Sequence, residues 1–181
     1  MSPEPSPDRR MGEAGRVINV FLDPRAAFPD IAARPRFWVP VVLLIIFSVA
    51  YLSTFSYYVG WDRVLQQQME SNPQLQNMSA DQRARMEETQ ARMASVMNSV
   101  VPASPILIIP VTLLVVAGVF AFVFRVLLAT DVTFRQLFAV TSYGFLPDLV
   151  MCLASIAVVL LKDPDQVNPE NLLAFNIGAY L

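Results

Sequence analysis

The sequence predicts an all-α, multi-pass membrane protein with three transmembrane helices and an extramembrane helical hairpin between the first and second. Three apolar runs carry that prediction. Phe37 to Trp61 and Ile106 to Phe124 hold no charged residue, and Gln136 to Leu161 holds a single carboxylate, Asp148. A helix needs roughly 20 apolar residues to cross a ~30 Å hydrocarbon core, so each run is long enough to span. Composition agrees: of 181 residues, 55% are hydrophobic and 15% charged, with a mean hydropathy of +0.47. Soluble domains carry about 25% charged residues.

The elements follow in order along the chain. Residues 1–15 read as a disordered tail, because Pro3, Pro5 and Pro7 alternate with polar residues and no apolar period appears. They do not form a cleavable signal, since no short apolar core follows closely on a charged start. Residues 16–37 form a juxtamembrane segment in which Val17, Ile18, Phe21, Leu22, Phe28 and Ile31 mix with Arg25, Arg34 and Arg36. Asp23-Pro24 is a helix start, with Asp as N-cap and Pro at the first helical position. Pro29 and Pro35 are expected to hold these helices to a turn or two. Short amphipathic pieces with arginines before a span suit the headgroup layer. A linker touching the surface only because it is tethered fits the same residues.

Span one is expected over about 38–60, with Trp38 at one interface and Tyr57, Tyr58 and Trp61 at the other. The polar hairpin covers 61–104. Asp62 to Ser71 can continue the first helix, Asn72-Pro73 ends it, and Ser79 caps a second helix reaching about Ser99. Met86, Met93 and Met97 lie at helical spacing on one face of that second helix, where they are expected to pack against the extension of span one. Span two covers about 106–128, with Pro110 a candidate kink. Residues 134–161 are about 42 Å long as a helix, more than the hydrocarbon core needs. Gly144 and Pro147 supply a break, so Thr133 to Tyr143 reads as an interfacial or tilted half-helix before the span proper. Residues 162–181 read as a polar tail.

Orientation follows from the basic residues. Arg9, Arg10, Arg16, Arg25, Arg34, Arg36, Arg125 and Arg135 fall on one side, against Arg63, Arg83, Arg85, Arg92 and Lys162 on the other. The positive-inside rule then places the N-terminus in the cytoplasm and the hairpin outside, with the plasma (cytoplasmic) membrane as the expected location.

Several chemistries are hard to build here. Histidine is absent, which removes His-based nucleophile activation, HExxH zinc sites and His-ligated haem. Cys152 is the only cysteine and Lys162 the only lysine, so neither an internal disulfide nor a Ser/Lys dyad is expected. Phosphate-binding glycine motifs are missing. No catalytic residue, cofactor or metal site is expected, and the net charge of −2 gives no reason to expect nucleic acid.

Four polar residues in or beside the spans remain as candidates. Asp148 comes first, because an ionisable group within a span costs about 2.5–3.5 kcal/mol and normally faces a partner or water. It reads either as a proton or substrate site, with Tyr143 and Cys152 near it, or as the N-cap of the helix after the break, interacting with Arg125 or Arg135. The capping reading is the simpler one. Arg125 can snorkel to the headgroups. Met69, Met78, Met86, Met93 and Met97 raise Cu(I) binding through thioethers, although a methionine stripe at helical spacing is more often packing surface.

Three short stretches resemble the Yip family, the Ypt/Rab-interacting type of multi-pass membrane protein, in its bacterial branch. They are Phe21-Leu22-Asp23-Pro24 with Phe28, Ile31, Pro35, Trp38 and Pro40; Thr133-Phe134-Arg135-Gln136-Leu137-Phe138-Ala139-Val140; and Tyr143-Gly144-Phe145-Leu146-Pro147. The resemblance covers roughly residues 16–161. It implies a cytoplasmic N-terminus and five spans in a complete member, so the chain reads as truncated after the third. Eukaryotic relatives act with small GTPases in vesicle traffic, a partner system that the resemblance does not carry to a prokaryotic member. Two functions then compete: a non-enzymatic membrane scaffold or bilayer-shaping component, and a small-solute or ion permease using the broken third span and Asp148. Expected partners are the lipid bilayer and other copies or chains packed along the spans.

Overall fold

The structure, a computed structural model, describes residues 11–70 and 79–163, and among these there is no strand. Most of the expected tail, the Asn72-Pro73 stop, Met78 and nearly all of the C-terminal tail lie outside the described residues. Eight α-helices follow in order: α1 Glu13–Leu22, α2 Pro24–Ala33, α3 Trp38–Tyr58, α4 Trp61–Glu70, α5 Ala80–Val100, α6 Pro105–Ala121, α7 Phe134–Gly144 and α8 Pro147–Leu161. Among the described residues, three helical stretches are long and apolar enough to cross a membrane: Trp38–Tyr58, Pro105–Leu127 and Phe134–Leu161, of 21, 23 and 28 residues. The chain forms two compact units, one of Met1–Leu44 with Ile108–Asp148 and one of Ile45–Leu107 with Leu149–Leu181.

The first unit holds α1, α2 and α7. Helix α1 starts at Glu13, within the stretch read as tail, and α1 and α2 each run ten residues. The Asp23 side chain accepts a hydrogen bond from the Ala26 N–H and Pro24 opens α2, so that helix starts where the sequence indicates. Pro29 does not stop it. The ring removes one intrahelical hydrogen bond, but Ala27 and Ile31, one turn apart, are fully buried where α2 packs on α1 and α7. Tertiary burial outweighs the local cost.

Thr133 and Gln136 form a capping box that starts α7. The box also fixes Gln136 so that its Nε2 donates to the Ala32 carbonyl at 3.1 Å, tying α7 to the end of α2. Phe37 meets Phe138 edge-on at 4.8 Å between ring centres. The break expected near Gly144 and Pro147 falls at Phe145–Leu146, between α7 and α8. Helix α6 passes through Pro110 and widens to a π-helix over Phe122–Leu127, where the Leu128 N–H reaches the Val123 carbonyl. Thr130 closes that end, bonding the Phe124 carbonyl through both its N–H and its hydroxyl.

In the second unit, α4 does not simply continue α3. Gly60 adopts φ +80° and its N–H returns to the Phe55 carbonyl at 3.1 Å, a left-handed helix stop that suits glycine. A Cβ at Gly60 would collide with Asp62 Oδ1. Helix α4 restarts at Trp61, whose backbone N–H donates to Asn98 Oδ1 and whose indole N–H donates to Ser56 Oγ. Phe55, Val59, Val64 and Val159 make the core there. Ser79 and Gln82 cap α5 as a capping box. Ala94 is the buried residue of α5, with Met86 and Met97 half-buried along the same side, and Met93 is 51% exposed. Asp62, Leu65, Gln66, Met69, Glu87, Gln90, Ala91 and Ala94 line a half-open groove between α4 and α5.

Candidate functional site

The polar centre of the first unit is Arg16, which sequence reasoning counted only as one of several cations. Arg16 is 2% exposed. Its position on α1 places it beside Val20, one turn on and also buried, so both face the packed side of the helix. Every arm of the guanidinium is used. Nε donates to Asp30 Oδ2 at 2.7 Å, Nη2 to the Asp30 carbonyl at 3.3 Å, and Nη1 to Glu13 Oε1 at 3.3 Å and the Arg34 carbonyl at 3.1 Å. Asp30 also accepts from Arg34 Nη2, and Arg36 Nη1 lies 3.6 Å from Glu13. Tyr143, fully buried on α7, donates its hydroxyl to Glu13 Oε2 at 2.7 Å.

Three helices therefore meet at one cluster of charges: α1 through Glu13 and Arg16, α2 through Asp30, and α7 through Tyr143. Burial works against the Arg16 charge, but the Asp30 hydrogen bond and the fields of Asp30 and Glu13 outweigh it, and its pKa is raised. Burial alone would push the Asp30 carboxyl up, yet hydrogen bonds from Arg34 and Arg16 and their charges hold it below the usual carboxylate value. Both groups are thereby fixed in their charged forms. Such a cluster fastens α1, α2 and α7 together. Among the described residues no three His, Cys, Asp or Glu side chains are grouped so as to hold a metal ion.

Of the four residues singled out in the sequence, only Tyr143 joins this centre. Asp148 is exposed in the first turn of α8, which begins at Pro147. It therefore sits inside the helix rather than capping it from outside. Its backbone N–H donates to the Phe145 carbonyl at 3.0 Å. A carboxylate there still suits the positive end of the helix dipole. Arg125 is exposed in the π-helical end of span two and Arg135 is exposed in the first turn of α7. Neither pairs with Asp148 among the described residues. Cys152 faces Ser48, with Sγ and Oγ 3.9 Å apart.

Glu13, Arg16 and Asp30 were missed as site residues, although a signal existed. Glu13 and Arg16 are three apart, the spacing of a helical ion pair, and Arg16 shares a side with Val20 while Ile18 and Leu22 point elsewhere. Reading residues 1–15 as tail hid the first member of that pair.

Three apolar helical stretches, each long enough to cross a bilayer, define a multi-pass helical membrane protein. Residues 18–181 match the sequence profile of the Yip1 domain, so the chain belongs to the Yip1-domain family. No curated protein and no solved structure matches the chain significantly.

Proposed function

We propose that this chain is a non-enzymatic Yip-type scaffold that organises or shapes the bilayer, with the α1–α2 pair fastened to α7 as its working part. The observation that supports this reading is the Arg16 cluster. The buried charged groups of the first unit are spent on one another and on Tyr143, in an arrangement that holds helices together. The proposal places the N-terminus in the cytoplasm and the protein in the plasma membrane, on the excess of arginines at that side.

The permease reading requires Asp148 to titrate or bind a cation. The exposed place of Asp148 at the start of α8 favours a supporting role at the helix end instead. The test is proton and cation flux into proteoliposomes containing the wild type or Asp148→Asn. The scaffold reading predicts no flux above protein-free vesicles and equal folding of both proteins. A pH-dependent flux that disappears in Asp148→Asn would overturn it, because the amide keeps the shape but cannot titrate.

A further inference from the structure

Helix α1 is built inside out. Its charged residue Arg16 faces the protein, while Ile18, Phe21 and Leu22 are 55%, 44% and 77% exposed. Ala14, Ile18, Phe21 and Leu22 recur at intervals of four, three and one, which places them along one stripe. In water this arrangement would be costly, since the apolar stripe is left wet. We propose that the Ile18–Phe21–Leu22 stripe is a lipid-docking face, seated in the upper acyl chains of the leaflet where α3 begins.

The occupant is argued from continuity with the membrane surface. Glu13 pairs with Arg36, two residues before α3, and Arg16 holds the Arg34 carbonyl. The first turn of α1 is therefore fixed at the level where span one starts. Ten helical residues extend roughly 15 Å, so the stripe cannot lie far from that level. Trp38, at the start of α3, is 69% exposed and opens the apolar surface of the span. Beyond Leu22 the polar Asp23 and exposed Arg25 mark the far edge, with Arg25 suited to the phosphate layer. A helix this short cannot cross the bilayer, and its exposed apolar side matches helices that lie in the interface.

The inference rests on the α1–α2 pair staying fastened to α7, and it names lipid as that pair's partner. The test uses the full chain with Cys152→Ser, carrying an environment-sensitive fluorophore on Leu22→Cys and, separately, on Ile18→Cys, in phosphatidylcholine vesicles. A label on Ser95→Cys gives the aqueous reference. The expected result is blue-shifted emission at both α1 sites, quenched more strongly by nitroxides high on the acyl chains than by a water-soluble quencher. Emission matching the Ser95 label would overturn the proposal. So would a blue shift that fades as the protein is diluted in lipid, since a second copy would then be covering the stripe. The label reports α1 alone and the flux assay reports the spans, so failure of one leaves the other readable.

Discussion

Arg16 is the side chain on which the polar contacts of the N-terminal unit converge. Burying a guanidinium is favourable only when its donors are matched, and here Asp30, Glu13 and two backbone carbonyls match them. Acid should release this cluster. The Asp30 pKa is lower folded than unfolded, so its stabilisation is present above the ordinary carboxylate value and is lost as pH falls through the folded one. The raised Arg16 pKa places its own loss far above neutral pH. Amide exchange in residues 13–33 should therefore hold its protection between about pH 7 and pH 5 and lose it below about pH 4. Protection that falls near pH 6 would assign control to some other group.

The elements divide by what fixes each of them. Helices α5 and α7 are capped by Ser79 and Thr133, each with a glutamine three residues later, and such caps are local signals that a sequence displays openly. The extra reach of α2 past Pro29 depends on Ala27 and Ile31 being buried by other helices, which no window of sequence contains. The stop at Gly60 needs a left-handed residue at one position, and an isolated glycine in a polar-apolar transition does not announce it. The same division explains the candidate site. Tyr143 drew attention because it sits in an apolar run, whereas Glu13 and Asp30 matter only once α1, α2 and α7 are brought together. In the hairpin, Met86 and Met97 are half-buried along the side of Ala94, while Met93 is exposed. Replacing Met86, Met93 and Met97 together with Leu should leave thermal unfolding nearly unchanged and Cu(I) binding no weaker. A loss of Cu(I) affinity in a folded variant would revive the thioether site.

At the scale of the whole molecule, three apolar helical stretches fix the protein in a bilayer, and residues 18–181 place it in the Yip1-domain family. Three crossings would put the N-terminus and the far end of the third span on opposite sides, with the hairpin opposite the N-terminus. Cysteines introduced at Ser6 and Ser95, in a Cys152→Ser background, should label from opposite faces of intact vesicles. Labelling of both from one face would mean that span one does not cross. The fastening of α1 and α2 to α7 is the central claim. Hydrogen exchange by mass spectrometry, on the full chain in lipid nanodiscs, compares the wild type with Arg16→Met. Breaking a buried ion pair costs roughly 3–5 kcal/mol, so protection across residues 13–33 should fall about a hundredfold or more while residues 38–58 stay unchanged. Equal protection of residues 13–33 in both proteins would contradict the account.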